Sequence, residues 1–177
     1  MNGNSNIFIK KKILIYGLGK SGQSSLSFLK KKKNKIYLYD DNKKNIFNAN
    51  QIKKIPLDAI IISPGIDINK CKLSNYLKEN LDIIYTDLDV FYSFNKNQSI
   101  TITGTNGKST TCRLLYEVLK KQKFDVRLGG NIGKPILSFK KFNKKTLFVI
   151  EASSYQLEYS KLFKSKYAVI LNISPDH

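Results

Sequence analysis

The chain has 177 residues, of which 41% are hydrophobic, and carries a formal net charge of +18. That length holds one domain or two small ones, and the hydrophobic share is ordinary for a globular protein, which excludes a chain disordered throughout. The charge points toward nucleic acid, but nearly all of it is Lys spread along the whole chain, and Arg stands only at Arg113 and Arg127, so the bidentate clamps that grip bases and phosphates are scarce.

Short apolar runs alternate with longer mixed segments, a pattern that predicts βα repetition and a parallel sheet. Ile13 to Tyr16 is the first predicted strand, followed by a helix over Ser21 to Lys32 with Leu26 and Leu29 on its apolar side. Ile36 to Tyr39 predicts a second strand, ending at Asp40; Ala59 to Ile62 a third, ending at the turn Ser63-Pro64-Gly65; Leu81 to Tyr85 a fourth. The polar stretch from Phe94 to Ser99 reads as a linker. A second unit then opens with a strand over Ile100 to Thr103, a Gly-rich turn and a helix from Lys108 to Lys121. Further strands are expected over Phe124 to Leu128, Leu147 to Ile150 and Ala168 to Leu171. The expected class is therefore α/β: a Rossmann-like N-terminal domain over 1–92, then the first part of a P-loop-type α/β domain over 93–177.

Cys71 and Cys112 show no metal-ligand spacing and fit a reducing compartment. No apolar run approaches the ~20 residues of a membrane span, and Lys10, Lys11 and Lys12 interrupt the start where a signal peptide needs an apolar region. A cytoplasmic protein without a membrane span is expected.

The chemistry-bearing motifs stand at the carboxyl ends of predicted strands, the edge at which open α/β sheets bind ligands. Gly17-Leu18-Gly19-Lys20-Ser21-Gly22 follows a strand and opens a helix, and Asp40 closes the next strand. In form this is the dinucleotide fingerprint, whose glycines let the backbone approach a diphosphate at a helix N-terminus. The same fingerprint also holds nucleotide sugars. Gly104-Thr105-Asn106-Gly107-Lys108-Ser109-Thr110 departs from the standard P-loop, because Ile102 stands where that pattern has its first Gly. A shorter Gly-x-x-Gly-Lys-Ser loop can still cradle phosphates on backbone N–H groups, with Lys108 reaching the terminal phosphates and Ser109 ligating Mg²⁺. Glu151, at the end of a strand beside that loop, is placed to hold the same ion. His177 is the single histidine and the last residue.

Thr103 to Thr111, reading TGTNGKSTT, resembles the ATP loop of the Mur ligases and their folate-ligase relatives. Gly129 to Gly133, the EASSYQL stretch from Glu151 to Leu157, Asn172 to His177, and Ser63-Pro64-Gly65-Ile66 extend the resemblance over nearly the whole chain from Lys12 onward. EASSYQL looks specific to the branch that adds D-glutamate to UDP-N-acetylmuramoyl-L-alanine. The resemblance implies that the first domain holds the UDP substrate on Gly17, Gly19, Ser21, Gly22, Asp40, Asp41, Ser63, Pro64 and Gly65. It implies ATP on Gly104 to Thr110, the muramoyl part beside Asn131, Ser153 and Gln156, and Mg²⁺ at Ser109, Glu151 and His177, with Lys108, Glu151 and His177 catalytic. The implied reaction joins D-glutamate through an acyl phosphate, in a parent enzyme expected to be monomeric and to have no nucleic-acid partner.

The family has three domains. The resemblance implies that this chain holds the first and less than half of the second, so it predicts no ligase activity for the chain as given and a second half that is marginal alone, with open apolar edges. Competing readings are another Mur-type ligase, a non-catalytic nucleotide-sugar-binding module, and a basic nucleic-acid binder whose affinity would fall steeply with salt.

Overall fold

The computed structural model describes residues 6–44 and 47–174. Two four-stranded sheets, parallel throughout, organise them. The first is made of β1 (Lys12–Tyr16), β2 (Lys35–Tyr39), β3 (Ala59–Ile62) and β4 (Ile84–Thr86), in the order β2-β1-β3-β4. Its helices are α1 (Lys20–Leu29), α2 (Ala49–Lys53), α3 (Ser74–Glu79) and α4 (Asp87–Phe94). The second sheet has β5 (Ser99–Thr103), β6 (Val126–Gly130), β7 (Leu147–Glu151) and β8 (Tyr167–Ile170), in the order β6-β7-β5-β8, with α5 (Lys108–Lys121) and α6 (Ser154–Tyr159).

Runs such as Lys12-Ile-Leu-Ile-Tyr16 and Ala59-Ile-Ile-Ile62 are apolar at every buried position because both faces of the first sheet are covered. Side chains alternate between those faces. Leu14, Tyr16, Ile60 and Ile62 point to one side, where Ile52 of α2 and Leu73, Tyr76 and Leu77 around α3 close over them. Ile13, Ile15, Ala59 and Ile61 point to the other, against Leu29 of α1 and Leu88 and Phe91 of α4. That second layer continues into Ile136, Leu137, Phe148 and Ile150 of the second half. Phe148 is its hub, with Phe91, Phe142 and Phe139 rings edge-on at 4.9, 5.2 and 5.6 Å.

β7 alternates in the same way. Phe148 and Ile150 face the seam between the halves, while Val149 joins Ile102, Val126 and Cys112 under α5. At the other end of this sheet the cover stops. β8 is exposed along its length, with Ile170 at 64%, and Leu114 of α5 is 65% exposed.

The expected strands all form, with shifted ends. The first helix stops at Leu29, continues as a 3₁₀ turn over Lys30–Lys32 and reverses at Lys33 in the left-handed region (φ 59°). Leu81–Ile83 is also 3₁₀, so the fourth strand begins only at Ile84. Four helices were not anticipated: α2, α3, α4 and α6. Each is eight residues or shorter and shows too few turns for a 3.6-residue apolar period to stand out. Among the described residues no helix is long and apolar enough to cross a membrane.

Candidate functional site

Both candidate loops leave the strand at which their sheet changes direction. β1 lies between β2 and β3, so the turn after it is flanked by the ends of both neighbours. Gly17 N–H donates to Tyr39 O (2.9 Å), Ser63 N–H to Tyr16 O (2.9 Å), and Ser63 Oγ–H to Gly17 O (2.7 Å). Asp40 accepts from Leu18 N–H (2.6 Å) and Asn42 N–H (2.9 Å). Burial opposes the charge on Asp40, but these two hydrogen bonds and the nearby Lys43 ammonium outweigh it and hold the carboxyl below its ordinary value. Gly22 is buried, and a Cβ there would sit 1.9 Å from Gly17 O, so this position lets α1 pack against the loop and does not line the cavity.

Above the loop lies a cavity of about 570 Å³, lined by Gly17, Gly19, Ser21, Asp40, Asp41, Ser63, Pro64 and Gly65, all expected from the sequence. Lys20, Lys70, Cys71 and Asn131 line it as well. Lys70 was missed because it lies in an irregular segment after β3, with no spacing that ties it to the fingerprint.

In the second sheet β5 lies between β7 and β8, and the 104–107 loop emerges between their ends. Gly104 (φ +140°) and Gly107 (φ +81°) adopt backbone that L side chains rarely take. Lys108 folds over the loop and donates to Gly104 O (2.6 Å) and Thr105 O (2.8 Å). Asn172, just past β8, grips the loop from outside: its Oδ1 accepts from Asn106 N–H (2.8 Å) and its Nδ2 donates to Asn106 O (3.0 Å). The sequence placed Asn172 in a motif but gave it no task. Asn106, Gly107, Ser109 and Thr110 are exposed.

Ser109 Oγ–H donates to Glu151 Oε2 at 2.7 Å, and Glu151 is 5% exposed. A hydroxyl and a carboxylate side by side at a Gly-rich strand-to-helix loop are hard oxygen donors. They fit Mg²⁺, which takes one or two protein oxygens and completes its shell with water and phosphate. His177, the third expected ligand, lies outside the described residues. Cys112 lies below; burial, followed by the charge of Glu151, pushes its thiol up to about 12, so it stays protonated at neutral pH.

Neither of the two helices that start at these loops, α1 and α5, has a side-chain cap, a feature they share with α3. Their first-turn N–H groups therefore meet no side-chain acceptor and can take an anion. α2 and α6, by contrast, carry full capping boxes, Asn48 with Gln51 and Ser153 with Gln156.

A second cavity, of about 610 Å³, lies beside the 104–107 loop and is lined by Gly104, Thr105, Lys108, Ser153, Tyr155 and Asn172. Asn131 lines both cavities. It follows Gly130 (φ +103°), and its N–H donates to Glu151 O at 2.9 Å, so the end of β7 fixes it. Gln156, also expected at the substrate, is 1% exposed and bonded within the protein.

A Gly-rich loop with an acid on the neighbouring strand and a fingerprint loop each border a cavity, and Asn131 lines both; the proteins this chain is similar to are Mur ligases. Residues 102–177 match the Mur ligase middle domain. More particularly, the chain is 42% identical over 96% of its length to the UDP-N-acetylmuramoylalanine–D-glutamate ligase of Buchnera aphidicola subsp. Schizaphis graminum, of which it covers 41%. It is 40% identical over 97% of its length to the protein of the same name from Rickettsia prowazekii, again covering 41%. The chain thus spans about two fifths of these relatives. A solved structure, the UDP-N-acetylmuramate:L-alanyl-gamma-D-glutamyl-meso-diaminopimelate ligase from Neisseria meningitides, matches 95% of the chain and 62% of its own with a TM-score of 0.53 at 18% identity, a likeness of fold.

Proposed function

We propose that this chain is the front part of an ATP-dependent ligase that adds D-glutamate to UDP-N-acetylmuramoyl-L-alanine in cytoplasmic peptidoglycan precursor synthesis. The relatives of that name, matched along nearly the whole chain, support the reaction. The observation that carries the reading is the meeting of the two cavities at Asn131. A nucleotide on the fingerprint loop can extend past Asn131 and bring its far end to the phosphate loop. In this reading residues 1–92 form the UDP-substrate domain and 93–177 part of the ATP domain.

The chemistry follows from charge. The substrate carboxylate and the ATP γ-phosphate are both anions and repel. Lys108, the loop N–H groups and the start of α5 offset that repulsion and stabilise the charge spread during phosphoryl transfer. Ser109 and Glu151 would hold Mg²⁺, which neutralises phosphate charge when bound. The acyl phosphate that forms on the substrate is then open to the amine of D-glutamate, which displaces phosphate and leaves an amide. Asn131 and Ser153 hold the muramoyl end still while this occurs.

Titration calorimetry on the 177-residue chain tests the reading. UDP-N-acetylmuramoyl-L-alanine and Mg·ATP are each expected to bind at one site. Lys108→Ala should weaken ATP by roughly tenfold or more, the usual worth of a hydrogen bond to a charged group, and leave the UDP substrate unaffected. Equal loss of both ligands, or of neither, would overturn the assignment of the two loops. The chain by itself is expected to show no D-glutamate-dependent phosphate release; steady turnover would contradict that.

A further inference from the structure

We propose that Asp87 is a positioning residue for the reacting end of the cleft, acting across the seam through Gln156 on Ser153. The proposal rests on the reading above, in which Ser153 faces the substrate.

α6 has six residues, too short to hold its own place as a helix in water. Its position must come from its neighbours, and the first half supplies them. Asp87, the first residue of α4, is 2% exposed, and its Oδ1 accepts from Gln156 Nε2 at 2.8 Å. With its amino group held there, the Gln156 amide turns its Oε1 toward Ser153 N–H (3.1 Å), while Ser153 Oγ accepts from Gln156 N–H (3.1 Å). The capping box that orients Ser153 is therefore locked by a carboxylate from the other half. Past the end of α6, Asp89 Oδ1 accepts from the N–H groups of Lys161, Leu162 and Phe163 at 2.9, 2.7 and 3.0 Å. α4 thus grips α6 at both ends.

A contact needed only for packing would not call for a buried carboxylate. Asp87 Oδ2 has no hydrogen-bond partner among the described residues, a costly arrangement that an apolar side chain would avoid. What the carboxylate supplies is an acceptor without a donor. It can take only the amino end of the Gln156 amide, so the oxygen end must face Ser153.

The charge gives the proposal a readout. Burial raises the Asp87 carboxyl to about 6, against the hydrogen bond from Gln156, and the charge of Asp89 raises it further. Tyr92 on α4 itself, Tyr85 on β4, Tyr155, Glu158 and Tyr159 on α6, Lys20 on α1 and Lys161 beyond α6 are the other ionisable side chains on α4 and the elements around it.

Amide NMR of the 177-residue chain between pH 4.5 and 8 tests the relay. The Gln156 side-chain amide and the Ser153 backbone amide should titrate with one shared midpoint, near 6. Asp87→Asn should abolish both titrations, and Asp89→Asn should move the midpoint downward. In calorimetry Asp87→Ala should weaken UDP-N-acetylmuramoyl-L-alanine by about tenfold through lost orientation, and Asp87→Asn, which keeps an acceptor but adds a donor, should fall between Ala and the parent. A Ser153 amide that ignores the Gln156 titration, or an Asp87→Ala variant that binds like the parent, would overturn the proposal. Failure of the parent chain to bind the UDP substrate would instead strike the functional reading, and the NMR titration would still decide the relay.

Discussion

In the first half the sheet is covered on both faces, by α2 and α3 on one side and by α1 and α4 on the other, whereas in the second half one edge strand lies bare along its whole length. Both sheets are parallel, and both place their loop at the strand where the order changes direction. They differ in where the order of the site comes from. The fingerprint loop is held by its own sheet, through β2 and β3. The 104–107 loop is held on one side by Asn172, and Ser109 beside it bonds to Glu151 on the other; β7, which carries Glu151, is packed through Phe148 and Ile150 against the first half. The expected open edge is present, but the inner core of the second half is shared.

The largest expected effect tests that sharing. Phe148→Ala removes the hub of the aromatic cluster and should cost about 3–5 kcal/mol. Both halves should then unfold at lower urea in a single transition, followed by circular dichroism and by tyrosine fluorescence. Two separated transitions would mean that the halves stand independently.

The seam also predicts a pH dependence. Asp87 is wholly buried and its carboxyl titrates at about 6 in the fold against an ordinary 3.8. The folded state therefore binds this proton more tightly than the unfolded chain. The stabilisation from protonated Asp87 is complete below pH 3.8 and is lost as pH rises through about 6. The loss amounts to roughly 3 kcal/mol by the linkage relation. Asp87→Asn should flatten this part of the stability profile, and a profile unchanged by the substitution would remove Asp87 from the account.

Gly130→Ala tests whether the end of β7 sets the site. Its φ of +103° and a Cβ placed 2.2 Å from Glu151 O require the backbone to move. A cost of about 1–3 kcal/mol is expected, with weaker binding of both ligands because Asn131 and Glu151 shift together. The smallest effect belongs to the bare edge. Ile170→Lys on β8 should change stability by no more than about 0.5 kcal/mol; a large loss would show that β8 is covered in solution.

Much of this was legible in the sequence. The glycines of both loops, the strand-end acids Asp40 and Glu151 and the strands themselves follow from period, punctuation and the position of each motif in βα order. The short helices were not legible, and with them went the seam. Thr86-x-x-Asp89 is a capping signal, yet nothing local says that Asp89 also takes three N–H groups more than seventy residues away. Gln156 shows the same limit. Its place in EASSYQL marked it as a substrate residue, but its burial and its bond to Asp87 depend on a contact between halves that no spacing encodes.

The central claim, that one ligand spans both halves through Asn131, is tested most directly by hydrogen exchange with and without UDP-N-acetylmuramoyl-L-alanine. Protection is expected in the first half around Gly17–Gly22 and Ser63–Ile66 and, in the same experiment, in the second half around Gly130–Ile132 and Ser153–Leu157. Protection confined to the first half would contradict a shared cleft.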